Sequence, residues 1–268
     1  MKLRAQWDKL VAIMRRDLLT VMRHRNGFGF QAVTLVTEIA GAFYLARAIG
    51  PSFRPDGIPY YPFLLIGTAV YAFLLSGIGS FVSAIQEAQM TGTMEVVLST
   101  ATPPPTILML SACSAFAGGA VTLIASIGAG ALLARGAFHP NFFAAALVLL
   151  LSLIVAAAVG MIAASIQLWL QKGMAVLWLM GTFTGLLTGT AFPVTALPAP
   201  LRMLTAWIPF TYSIRGLRVA LLEGGSMAQV AQPILALAVS AAVLLPISMI
   251  IFARVGRAVR LEGSLSFF

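Results

Sequence analysis

Six apolar segments dominate this sequence, at about 28–49, 60–85, 106–133, 142–170, 174–192 and 230–252. A helix needs about 20 apolar residues to cross the hydrocarbon of a bilayer. In lipid a spanning backbone must also satisfy its own polar groups, as a helix does. A chain of this pattern is an all-α membrane protein with six transmembrane helices. Apolar residues make up 60% of it and charged residues 9%, where soluble domains carry about a quarter charged. The chain reads as a single transmembrane domain, 1–268, with an interfacial helix over 1–27, a six-span bundle over 28–253 and a tail over 254–268.

The segment ahead of the first span is amphipathic. Trp7, Leu10, Val11, Met14, Leu18, Val21 and Met22 recur at helical spacing, with Lys9, Arg15, Arg16 and Arg23 off that stripe. Such a helix lies in the membrane plane, either as a plain anchor or as a sliding link to a cytoplasmic partner. The first span is too long for a signal-peptide core and shows no cleavage pattern, so it is expected to remain in the mature protein. The net charge of +9 resides at the ends of apolar segments, where it reports topology and contact with anionic lipid, not nucleic acid. Six spans place both termini on one side, and that side holds eleven Lys and Arg against six on the other. The positive-inside bias predicts cytoplasmic termini and a multi-pass protein of the cell (inner or plasma) membrane.

Polar residues inside the spans are few. Glu38 sits near the middle of the first span, where a carboxylate is expensive and must face protein or water. It lines a pathway or subunit contact, or it makes a structural hydrogen bond to a neighbouring helix. Ala156, Gly160 and Ala164 form a small-residue stripe suited to close packing, and Gly181, Gly185 and Gly189 form a double GxxxG face. That glycine face serves packing within one chain, or else a dimer contact or a wall of a translocation path.

Two interruptions carry more information. The first is 86–105, QEAQMTGTMEVVLSTATPPP, with the carboxylates Glu87 and Glu95. Thr93 can cap a short helix, Glu95 suits its positive end, and Met94, Val97 and Leu98 fall on one face. Pro103, Pro104 and Pro105 stop it. This is either an interfacial loop helix or a lever for a soluble partner. The second is 193–229, too polar and proline-rich for a span, with apolar runs that suit two short helices broken at Pro209. Backbone of that kind at membrane depth must be covered by protein or line a wet cavity.

Several chemistries are excluded by the motif content. There is no GxxxxGK[ST] phosphate loop, no H-E-x-x-H and no GxSxG elbow. One cysteine, Cys113, and two histidines make a metal site improbable and an internal disulfide impossible. His139, ahead of a proline, reads as a loop residue. No catalytic residues are expected; the chain is a passage or scaffold. Uphill movement of a solute then draws on a partner or an ion gradient.

Two stretches resemble a known family, the permease (membrane) subunits of type-2 ATP-binding-cassette exporters. GTMEVVLSTATPP, Gly92 to Pro104, is similar to the family's Gly-Thr-hydrophobic-Glu pattern followed by Ser/Thr-Pro. FPVTALPAPLRMLTAWIPFTYSIRGLR, Phe192 to Arg218, is similar to its external re-entrant signature of Phe-Pro, Leu-Pro, a proline-centred turn and a downstream arginine. Pro193, Pro198, Pro209 and Arg215 occupy those positions; Ile208 stands where the family often has Asn. The resemblance implies that 86–105 is a cytoplasmic coupling helix, with Glu87, Thr93, Met94, Glu95, Val97 and Leu98 meeting an ATPase subunit. It implies a homodimer, or a pair of similar permeases, with a path lined by spans 1, 2 and 5. ATP and Mg would be bound by the partner ATPase and no cofactor by this chain. Membrane lipid is a further partner and nucleic acid is not. The apolar spans point to a hydrophobic or amphipathic cargo: a drug, a lipid or a lipid-linked glycan. A rival from another class is a self-sufficient ion-coupled carrier or channel with Glu38 as its ion site, although no inverted repeat of the carrier type is evident.

Overall fold

A computed structural model describes residues 25–92, 104–134, 136–170 and 172–262. The interfacial helix expected over 1–27 lies almost wholly outside them, as do Thr93, Met94, Glu95, Val97 and Leu98. The described residues are helical, with no strand among them. Eight α-helices follow in order: α1 (Arg25–Ile49), α2 (Tyr60–Met90), α3 (Pro104–Leu133), α4 (Phe142–Leu170), α5 (Gly173–Leu187), α6 (Ala199–Thr205), α7 (Pro209–Leu222) and α8 (Met227–Glu262).

Five of these, α1, α2, α3, α4 and α8, are long and apolar enough to cross a membrane. The sixth expected span is shorter than its apolar stretch: α5 has 15 residues, not the run from Met174 to Phe192. At 1.5 Å per residue it reaches about 22 Å, against a hydrocarbon core of about 30 Å. It stops because Thr188 caps it and Gly189 turns left-handed at φ 76°, the usual glycine ending just past a helix C-terminus.

Other boundaries moved as well. α2 runs on to Met90, so the polar residues 86–90 continue a membrane helix instead of opening a separate one. Pro104 and Pro105 begin α3, consistent with proline's fit to a first turn, where its missing N–H has no partner to lose. α8 continues to Glu262 through Pro233 and Pro246, so the residues read as a tail from 254 are helical to that point. The segment 193–229 does hold two short helices, α6 and α7, separated at 206–208, and Pro209 starts the second.

The hub is α2, the most buried of the five long helices. Its Phe63, Leu65, Ile66, Leu74, Phe81 and Ile85 are fully buried, beside Met161 and Leu168 of α4, Ile214 of α7 and Leu237 of α8. Between helices in lipid, association rests on close van der Waals packing and small residues. Accordingly Gly160 sits so near Phe81 that an added Cβ would lie 2.4 Å from its ring, and its stripe neighbours Ala156 and Ala164 are fully buried. The loop before α4 is pinned to the end of α7. Asn141 caps α4 by accepting from the Ala144 N–H at 3.2 Å, and its Nδ2 donates to Gly225 O at 3.0 Å. The His139 N–H donates to Leu221 O at 3.1 Å, which leaves that residue a loop element.

Candidate functional site

Three levels of the bundle carry polar groups that the fold brings together. At the level where α2 meets 86–105, Glu87 is exposed near the end of α2, and its carbonyl accepts from the Thr91 N–H at 2.9 Å and hydroxyl at 2.7 Å. Two residues on, Gln89 turns inward and is 2% exposed. The Gln167 Nε2 of α4 donates to Gln89 Oε1 at 2.9 Å, which joins α2 and α4 near the end of α2. Neither glutamine stood out in the sequence. The buried face that Gln89 shares with Ile85, and Gln167 with Ala163, each four residues earlier, was the available signal.

At mid-depth, Glu38 opens onto a cavity of about 340 Å³ between α1, α2 and α3. The Thr68 hydroxyl of α2 lies beside it and donates to Leu64 O at 2.9 Å. On the other side of α2 stands α5. The Tyr71 hydroxyl donates to Gly181 O and lies 2.9 Å from Thr184 Oγ1. Added Cβ atoms would come within 3.2 Å of Leu75 at Gly181 and of the Tyr71 ring at Gly185. These two glycines therefore face α2 of their own chain. Gly189 leaves the helix and takes no part in that face. The opposite side of α5 carries exposed apolar bulk, with Trp178 73% and Phe183 59% accessible.

At the far level, where α2 begins, the chain buries an arginine that has no carboxylate within ion-pair distance among the described residues. Arg218 of α7 is 7% exposed. Its Nε and one terminal nitrogen donate to Phe63 O at 3.1 and 2.9 Å. The two terminal nitrogens also reach Gly189 O and Thr190 O, both at 2.8 Å. The guanidinium lies over the Phe63 ring at 3.4 Å from its centroid. Carbonyls past a helix C-terminus carry negative partial charge, and a planar fork of donors suits several at once. Burial pulls the Arg218 pKa down to about 9, against the upward pull of Asp56 and Tyr60, so it stays charged at neutral pH. The clamp closes where α5 stops short, and Gly67 admits it: a Cβ there would lie 2.2 Å from Thr190 O and 2.3 Å from the guanidinium.

Arg215, which the sequence singled out, is exposed and lines a polar cavity of about 320 Å³ with Asp56, Thr211, Tyr212 and Gln232. Pro193 begins a short 3-10 turn (Val194–Ala196), and Pro198 and Pro209 begin α6 and α7. Ile208 at the start of α7 offers no side-chain cap. Among the described residues no cluster of three or more His, Cys, Asp or Glu could hold a metal ion.

A family model described as "ABC-2 family transporter protein" matches residues 44–250. The chain belongs to the ABC-2 transporter family. No curated protein matches it. The match takes in 86–105, the clamp and both short helices, while Glu38 lies ahead of it. As an ABC-2 family member the chain is a multi-pass membrane component of a transport system, and the family implies partnership with an ABC ATPase in general.

Proposed function

We propose that this chain is the permease subunit of an ATP-driven exporter, forming the path for a hydrophobic or amphipathic cargo such as a drug, lipid or lipid-linked glycan. ATP and Mg are held by a separate cytoplasmic ATPase subunit. Two copies form the path in the cell membrane, with both termini in the cytoplasm. The observation that carries this reading is the family match across 44–250 in a chain without any phosphate-binding loop of its own. Energy then enters from outside, and 86–105 is the polar stretch placed to receive it. Gln89, within that stretch, is hydrogen-bonded to Gln167 of α4, so motion there moves α2 and α4 together. The exposed apolar faces of α1 and α5, including Val36 and Trp178, supply surface for the second copy.

The test is co-purification from the native host in mild detergent, followed by transport in vesicles. An ATPase subunit should accompany the chain in equal amount. Glu95→Arg, or polar residues at Val97 and Leu98, should lower transport at least tenfold while ATP hydrolysis and thermal stability persist. Normal transport by those variants would sink the coupling role. Transport by the purified chain with no ATPase present would favour a self-sufficient carrier.

A further inference from the structure

The mid-depth cavity has a composition that selects one kind of ligand. Three helix faces converge on it at the side of the bundle, where Gln31, Thr34, Ala72, Ser76 and Thr122 are exposed. α1 contributes Gln31, Thr34 and Glu38, spaced at i, i+3 and i+7 on one side of the helix. α2 contributes Ser76 and α3 contributes Thr122 and Ser126. The space exists because the residues between these groups are small: Ala69 and Ala72 on α2 and Gly119 on α3. Phe73, packed edge-on against Phe116 at 5.8 Å, forms an aromatic wall. No Lys, Arg or His lines the cavity among the described residues.

We propose that this cavity binds the ammonium head of a lipophilic organic cation, with Glu38 as its counter-charge. A carboxylate at that depth is costly unless it is paired, and an ammonium supplies the missing charge. Surrounding hydroxyls and the Gln31 amide accept the remaining N–H bonds, and an aromatic wall favours a cation over a neutral group. A bare metal ion fits poorly. The volume of about 340 Å³ is that of a small-molecule pocket, and one carboxylate does not make an oxygen cage. An anionic head would meet Glu38 with nothing to offset it. The inference rests on the reading that this chain moves a cargo, and it names the class of that cargo. Glu38 precedes the stretch covered by the family match, so the match does not assign it.

The experiment uses the full chain in nanodiscs of zwitterionic lipid, without ATPase, titrated with a dansyl-tagged long-chain primary amine. The same molecule with its amine acetylated, hence uncharged, is the control, and empty nanodiscs correct for partitioning. The amine should bind saturably and at least tenfold tighter than the acetylated form. Glu38→Gln should reduce it to the level of the acetylated form, while Glu38→Asp keeps part of the preference. Ala72→Leu, which fills the cavity and leaves the carboxylate in place, should also lose binding. It keeps the test open if Glu38→Gln fails to fold. Equal binding of the two forms by the unaltered chain, or full amine binding by either Glu38→Gln or Ala72→Leu, overturns the proposal. Because no ATPase is present, failure here leaves the exporter reading standing. Amine binding by a chain that never recruits an ATPase would leave this site standing and remove the exporter reading.

Discussion

Four hydrogen bonds run from Arg218 to three backbone carbonyls, those of Phe63, Gly189 and Thr190. Removing a buried partner leaves such groups unsatisfied at about 1–3 kcal/mol each. Arg218→Met should therefore destabilise the chain by ~3 kcal/mol or more. Arg218→Lys keeps the charge but loses the fork, so it should fall between the two. Thermal unfolding in detergent reads this order, and a methionine variant as stable as the unaltered chain would show that the clamp contributes nothing. The sequence placed weight on Arg215, three residues earlier, and Arg218 entered by name only as the end of the stretch from Phe192 to Arg218. A signal was available: Arg218 sits on the stripe of Ile214, Leu217 and Leu221, all buried, and a charge inside an apolar stripe at helical spacing is a buried charge. Glu38 was legible for the complementary reason, as a lone carboxylate far from either end of its apolar segment. Its cavity was not, because that depends on which faces of α2 and α3 turn toward it.

The helices themselves were mostly legible, since apolar length decides them; the boundaries of α4 match the apolar run from Phe142 to Leu170. α5 was misread for a physical reason. Hydropathy continues through 188–192, but backbone conformation does not, and a glycine past a threonine cap ends the helix while the apolar run goes on. The Gly181/Gly185/Gly189 repeat looked like one face because spacing assumes an unbroken helix. The early stop also makes a demand on α2. Thr190 and the guanidinium press against Gly67, so Gly67→Ala cannot be accommodated without moving backbone. In a helix interior Gly→Ala usually stabilises by about 0.5–1 kcal/mol. Gly118 of α3, with nothing within 4 Å of an added Cβ, should follow that rule. Gly67→Ala should instead lower the unfolding midpoint by several degrees and weaken the joint between α2, α5 and α7. Equal effects at the two positions would mean that the close approach is not a constraint.

For the whole molecule, five helices are long and apolar enough to cross a membrane, and charge is the feature from which their orientation is expected. Lys172, Arg254 and Arg257 lie at the end reached by α2 and α4, where 86–105 also begins; Ser52 and Ser226 lie at the other. A cytoplasmic leaflet rich in anionic lipid attracts basic residues at about 1 kcal/mol each. A bias of eleven to six is thus worth more than any single loop contact. The route through α5 is the weak point, because 15 residues fall short of the hydrocarbon thickness and the crossing must be completed by 188–198. Single cysteines at Lys172, Arg257, Ser52 and Ser226, all exposed, in a chain with Cys113→Ser, test both steps with a membrane-impermeant thiol reagent. On intact cells Ser52→Cys and Ser226→Cys should react, and Lys172→Cys and Arg257→Cys should react only after the membrane is opened. The reverse pattern would mean that charge did not set the orientation. A split between Lys172 and Arg257 would mean that α5 and the short helices do not complete a crossing. The chain would then cross the membrane five times, and the cavity at Glu38 and the clamp at Arg218 would belong to a bundle with its termini on opposite sides.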